Sequence, residues 1–313
     1  MSYYLSIELT DLVARKVRWR EKANSKEPPP VEWLGTAQSA TDPPGGYVVM
    51  VNDTGEVERS LPLWGPEGIL VDQGCLLVAC PWDIKVISLD LSQMHRVLSG
   101  PWCNYLHSLR CSHRGLLVAA TGIDAIVEIS REGELLWAWW ATEQGFRTDF
   151  LGGERRLDKE MDHRGLKYDT KTHTTHVNSA VELPDGSLLA TLSHQGYLVR
   201  IDRKTGRHST LLEDLGRPHC VRVFDERHIT VVDTRAGEAL LVRLDRHYAR
   251  ARVAGKIQTE TTYLHDAHFD GKTWLLVDGL HSRVFHADAD GRMIRVDNFD
   301  ADWGLYEAIP STH

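Results

Sequence analysis

The residues best suited to chemistry are histidines that recur at one point of a repeating unit. His107, His219 and His265 each stand ten residues before an apolar position, at Leu117, Ile229 and Leu275. Asn178 keeps the same offset to Leu188, with His176 two residues before it, and Glu67 keeps it to Leu77. Neutral imidazoles are ligands for iron, copper, zinc or nickel. An imidazole also moves protons or attacks an electrophile. A lone histidine is more often a surface or satisfied core group, but several in one register point to a shared site. His113, His208, His228, His247, His281 and His286 fall at turns or later strands and keep the ordinary reading. His194 and His268 are intermediate. The offset of three from His265 turns His268 to the other face of a regular strand.

The elements that must position these anchors repeat with them. Each anchor strand is followed by an apolar run, then a mixed strand such as Ala125-Ile-Val-Glu-Ile129 or Tyr197-Leu-Val-Arg-Ile201, then a turn and a fourth strand. Successive anchors are 40, 71, 41 and 46 residues apart. A period near 40 with four strands per unit predicts an all-β fold, a β-propeller. A lone four-stranded sheet leaves both faces wet, and packing blades in a ring covers them. Asp302-Trp-Gly-Leu-Tyr-Glu307 reads as an anchor strand without followers, and residues 46–61 as last strands without a start. Joining them gives six four-stranded blades, with the ring closed by both termini. The expected organisation is an N-terminal segment, 1–45, packed on a single propeller domain, 46–313. The one long anchor spacing comes from a charged insertion at about 142–175, which carries His163 and His173 and leads into His176. A loop of this length is usually functional or disordered; placed before an anchor strand, it would roof the funnel.

Composition sets the outer limits. A net charge of −8 and a pI near 6.0 give no basic surface for nucleic acid. No apolar run approaches the roughly 18 residues of a membrane span. The five cysteines form no CxxC pair, and Met1 to Thr10 shows neither the basic start nor the apolar core of a secretory signal. The expectation is a cytoplasmic protein with free thiols whose partner is a small molecule.

Several segments resemble a known family. His176-Val-Asn-Ser179, Leu183-Pro-Asp-Gly-Ser-Leu-Leu189, Ser193-His-Gln-Gly196 and Ile201-Asp-Arg-Lys-Thr-Gly206 are similar to PAPS-independent arylsulfotransferases. Tyr105-Leu-His-Ser-Leu109, Gly133-Glu-Leu-Leu-Trp137 and His265-Asp-Ala267 extend the likeness over residues 100–290. The resemblance implies a propeller whose funnel histidines move a sulfuryl group between phenols, with His265 as the sulfo-accepting residue and His107 and His176 in support. The chain departs from the pattern at Ser193, where the family has an arginine that would stabilise the developing negative charge. Arg235 and Arg283, at similar turns of later blades, are candidate replacements. His219 is an added histidine.

The lost arginine and the gained histidine favour a metal site over sulfuryl transfer. The first reading is a metal-dependent oxidoreductase or oxygenase acting on a small aromatic molecule. His107, His176, His219 and His265 would hold iron, or copper or zinc, with His265, Glu67 and Asp266 in catalytic roles. Asn178, Tyr105, Tyr263 and Trp303 would line the substrate space. The second reading is sulfuryl transfer through His265 without a cofactor. The third is a binding propeller with no catalysis.

Overall fold

Runs such as Leu76-Leu-Val-Ala79 send successive side chains to opposite faces of a sheet, and here both faces are buried. Leu77 and Ala79 face the next blade, while Leu76 and Val78 face the previous one. A computed structural model of the chain describes residues 1–9 and 45–311. The stretch 10–44, which holds most of the expected N-terminal segment, lies outside them.

The chain opens with β1 (Tyr3–Leu9), β2 (Gly46–Val51) and β3 (Val57–Leu63). The second blade is β4 (Ile69–Asp72), β5 (Cys75–Cys80), β6 (Asp83–Ser88) and β7 (Met94–Leu98). The third is β8 (Leu106–Cys111), β9 (Leu116–Ala120), β10 (Ala125–Ile129) and β11 (Leu135–Trp140). The fourth is β12 (Val177–Glu182), β13 (Leu188–Leu192), β14 (Tyr197–Ile201) and β15 (His208–Leu212). The fifth is β16 (Pro218–Val223), β17 (His228–Asp233), β18 (Glu238–Leu244) and β19 (Ala251–Gln258). The sixth is β20 (Leu264–Phe269), β21 (Thr273–Asp278), β22 (Arg283–Asp288) and β23 (Met293–Asn298). Finally β24 (Trp303–Pro310) returns to pair with β1, so the first blade runs β24-β1-β2-β3.

The result is a six-bladed β-propeller closed by both ends of the chain. One sequence expectation needs correction: Tyr3–Leu9 is not part of a segment packed on the propeller but a strand within the closing blade. It is legible as a strand only once its partners are known, because Tyr3, Tyr4, Leu5 and Ile7 are all buried and show no alternation. Six apolar clusters, one between each pair of neighbouring blades, complete the ring. The innermost strands β4, β8, β12, β16, β20 and β24 surround the axis. All five cysteines are free thiols, and no helix among the described residues is long and apolar enough to cross a membrane.

Residues 142–175 join β11 to β12 without a strand of their own. They are tied down by a buried ion pair, Arg155 Nη1 to Asp124 Oδ2 at 2.7 Å. Asn104 adds bonds from its Nδ2 to the His163 carbonyl at 2.6 Å and the Leu166 carbonyl at 2.8 Å.

Because β1 alone among the described strands joins β24 to β2, its fully buried Leu5 is a direct probe of closure. Leu5→Ala is expected to destabilise the whole propeller by about 2–5 kcal/mol in urea unfolding, whereas Val57→Ala on exposed β3 should change it by less than about 0.5 kcal/mol. A cost at Leu5 no larger than at Val57 contradicts closure through β1.

Candidate functional site

The innermost strands place two rings of residues at the end of the channel from which those strands start. The anchor ring is Glu67, His107, Asn178, His219, His265 and Tyr306, one from each blade. Two residues earlier in every blade stands a rim residue: Gly65, Tyr105, His176, Arg217, Tyr263 and Gly304. Four of the six rim residues have left-handed backbone, at φ 48° for Gly65, 45° for Tyr105, 49° for His176 and 61° for Arg217. Such angles cost a non-glycine residue energy, and their repetition marks a shared entry turn.

The rings bring the expected histidines together. His107 lies 5.3 Å from His176 and 6.3 Å from His219 between ring centres, and His219 lies 4.6 Å from His265. Tyr306 completes the circuit at 4.6 Å from His265 and 6.4 Å from His107. Glu67 meets His107 Nδ1. Tyr263 stands 5.6 Å from His265. Asn178 is buried in its anchor place, its Nδ2 donating to the Pro218 carbonyl at 3.1 Å, with Oδ1 left without a partner.

Hydrogen bonding fixes the imidazole tautomers. His219 Nδ1 is 3.0 Å from the Arg217 carbonyl, and His265 Nδ1 is 3.1 Å from the Tyr306 carbonyl. Carbonyls and carboxylates only accept, so the Tyr306 carbonyl calls for the proton on Nδ1 of His265 and Glu67 beside His107 favours the same there; at His219 the Arg217 carbonyl favours Nδ1–H, while the Thr234 hydroxyl at 2.8 Å can meet either tautomer. The lone pair then sits on Nε2. This is the support that metal-ligating histidines ordinarily have. His176 differs: its Nδ1 lies 2.8 Å from His173 Nδ1, so the two share a proton. His194 stacks on His176 at 5.4 Å, and Phe150 of the insertion packs on His194 at 5.4 Å.

Burial keeps His107, His173, His176, His194 and His219 neutral. It pushes His107 down to about 3, helped by His219 and His173, and pushes His219 down to about 4, where Arg217's charge also acts. His173 falls to about 3 and His194 to about 4, again chiefly through burial, and His176 lies well below its ordinary value. Asp124 shapes this side of the site. It is fully buried and accepts from the amides of Thr174, Thr175 and His176 at 2.7, 2.9 and 2.7 Å, so it holds His173 and His176 in place.

Three expectations change on contact with the structure. Asp266 does not back the imidazoles as a catalytic carboxylate. Both its oxygens are occupied, by Arg222 at 2.9 Å, the Ala308 amide at 2.9 Å, the Ala267 amide at 2.8 Å and the Cys220 thiol. Although burial opposes ionisation, Arg222 and Arg110 hold its carboxyl below the usual range. Trp303 stacks on Phe299 at 5.8 Å and lies 6.3 Å from Tyr47, in the packing of the closing blade; the ring position belongs to Tyr306. Arg283 is tied to Asp278 and Glu260, so the guanidinium whose charge reaches His219 and His194 is Arg217. Sequence reasoning missed Tyr306, Arg217, His173 and His194. The first two were legible as the sixth anchor and as a position two residues before an anchor.

The spacing bears on metal binding. No three ring nitrogens of His107, His176, His219 and His265 lie within 4.8 Å of one another. Zinc–nitrogen bonds of about 2.0–2.1 Å would require roughly 3–3.5 Å between them. The donors and tautomers fit an ion, and side-chain rotation would have to close the gap. Two other groups are tight enough but already neutralised. Cys220, Asp266 and Glu307 are matched by Arg110 and Arg222, and His113, Glu128 and Glu182 by Arg203.

No family model and no curated protein matches the chain. Solved structures do. A Bacteroides caccae protein of unknown function matches at 13% identity and TM-score 0.60, over 98% of both chains. A nidogen/laminin complex matches at 12% and 0.61, over 98% of this chain and 97% of that one. The periplasmic gluconolactonase of Pseudomonas aeruginosa matches at 12% and 0.56, over 99% of both. At such identities the likeness is one of fold. The same architecture therefore occurs in a gluconolactonase and in a nidogen/laminin complex, and the ring's chemistry has to be argued from this chain's residues.

The depressed imidazoles give a pH prediction. In the unfolded chain they would take up protons near 6.5, whereas in the fold they stay neutral until about 3–4. Stability is therefore fully present above pH 6.5 and falls as the pH drops toward 4. The ring proton signals of His107 and His219 should not titrate between pH 7.5 and 5; midpoints near 6.5 would contradict the buried, neutral ring.

Proposed function

We propose that the anchor ring is the active site of a metal-dependent oxidoreductase acting on a small aromatic molecule, with iron as the metal and copper or zinc as the alternatives. One observation carries the reading. Three imidazoles from three blades, His107, His219 and His265, stand ring to ring, each with an acceptor at Nδ1; with the proton there, Nε2 is the nitrogen that would hold an ion. A bound ion would supply Lewis acidity and, if redox-active, one-electron chemistry. His176 stands beside this set in the rim, where its shared proton with His173 suits it to proton transfer more than to ligation. Tyr263 and Phe150 border the mouth as aromatic surfaces, and Tyr105 occupies the equivalent rim position. Arg217 favours a substrate bearing a phenolate or another anionic group.

A second reading has one observation in its favour. Arg217 brings to the ring the guanidinium that Ser193 lacks, as sulfuryl transfer requires. In that reaction His265 would attack the sulfur of an aryl sulfate through Nε2 and release the phenolate.

Metal content separates the two. Protein expressed with added iron, copper and zinc should retain about one ion per chain, and His107→Ala, His219→Ala and His265→Ala should each lower occupancy at least about tenfold. Near-zero occupancy in the parent protein, together with aryl-sulfate labelling that survives chelator and vanishes in His265→Ala, would replace the metal reading with sulfuryl transfer.

A further inference from the structure

Further along the same strands lies a cavity of about 250 Å³ whose lining includes none of the anchor-ring imidazoles. It is built by residues three and four places beyond the anchors. Arg110 comes from β8, Arg222 from β16, His268 and Phe269 from β20, with Thr230 of β17 and Phe224 closing the side. A bulge at His265, between Leu264 and Asp266, absorbs one residue of β20. His268 therefore lines the channel, against the expectation for a regular strand.

Three lining side chains hold polar atoms that are buried and unmatched: Arg110 Nε, Thr230 Oγ1 and His268 Nδ1. Arg110 is only 7% exposed and Thr230 only 1%. A buried donor left without an acceptor costs about 1–3 kcal/mol. The other nitrogens of Arg110 are used, on Glu307 at 2.9 and 3.2 Å and on the Leu109 carbonyl at 2.6 Å. Arg222 is likewise held by Asp266 at 2.9 Å. The guanidinium groups are thus locked in place, with Nε–H of Arg110 still unmatched. Burial and the nearby Arg222 keep His268 neutral, at about 4. Opposite these groups Phe224 and Phe269 pack ring to ring at 4.9 Å, and Phe224 is 37% exposed.

We propose that this cavity is a second binding site, for a small aromatic monocarboxylate. Its carboxylate would accept from Arg110 Nε, Thr230 and His268 after small side-chain rotations, and its ring would lie against Phe224 and Phe269. The unmatched Nε–H of Arg110 is a charge-assisted donor that favours a carboxylate over a neutral acceptor, even with Glu307 and Asp266 balancing the two guanidinium groups, and the two phenyl rings favour a flat apolar body. The site stands on its own residues and does not depend on a metal at the anchor ring.

The test uses fluorobenzoate and fluorobenzyl alcohol as probes, read by fluorine NMR on the full chain. Fluorobenzoate should bind in chelator-treated protein, at least about tenfold more tightly than the alcohol. Thr230→Val, His268→Gln and Phe269→Leu should each weaken it by about fivefold or more. His219→Ala should leave it unchanged. Thr230→Val swaps a buried hydroxyl for a methyl group of the same shape, so its loss of binding does not report unfolding. The proposal is overturned if fluorobenzoate fails to bind, if it binds no better than the alcohol, or if only His219→Ala removes it, which would place the probe at the anchor ring. Binding that is indifferent to all four changes marks an adventitious additive only and overturns it equally.

Discussion

The axis of this propeller depends on a β-bulge repeated where the innermost strands begin. In the third, fourth, fifth, sixth and closing blades the register slips by one residue at or beside the anchor: around His107, Asn178, His219, His265 and Tyr306. A bulge bends its strand and re-aims the side chain at that point. Here it turns the anchor onto the channel and lets the residue three places on face the channel again. Strands β8, β12, β16 and β20 therefore contribute both to the anchor ring and to the cavity further along. Between them lies a layer of locked charge, Arg110, Arg222, Asp266 and Glu307, whose buried ion pairs plug the middle. A single ion pair of this kind adds little net stability, but removing one partner strands the other. The layer fixes spacing around the axis and separates the ring from the cavity.

The second constraint is which acceptor each imidazole meets. His219 and His265 lean on carbonyls of the rim turn and of the neighbouring blade, and His107 leans on Glu67 of the blade before it. Two of these three contacts cross from blade to blade, and the one from His265 to Tyr306 exists only when the closing blade is in place. Closure through β1 is in this sense part of the site. Glu8 of β1 also accepts from the Tyr306 hydroxyl at 2.9 Å, which links the closing strand to the sixth anchor.

Much of this was legible in the sequence. A repeated offset of ten residues reports the distance from an innermost strand across its hairpin to the second strand, so Leu77, Leu117, Leu188, Ile229 and Leu275 all fall in second strands. The six-blade count and the closing blade followed from the two incomplete copies at the ends. What stayed hidden depends on geometry that spacing does not carry. Period-two counting put His268 on the wrong face because a bulge leaves no residue signature. Asp266 looked available because its five donors come from Arg222, Cys220, Ala308 and its own neighbourhood in the fold. Trp303 and Tyr306 share one segment, and only the register places Tyr306 at the anchor. His173 joins the cluster because Asp124 folds the end of the insertion back onto the rim, and His194, from the β13–β14 turn, meets the His173 carbonyl there at 3.1 Å.

The central claim is that three imidazoles present Nε2 lone pairs toward one axis, and tautomer state reports this with no ligand required. Long-range proton–nitrogen correlation spectra at neutral pH, assigned through His107→Gln, His219→Gln and His265→Gln, read it directly. The account predicts that all three rings carry their proton on Nδ1. Protons on Nε2 in two or more of them would leave no converging lone pairs and would contradict it.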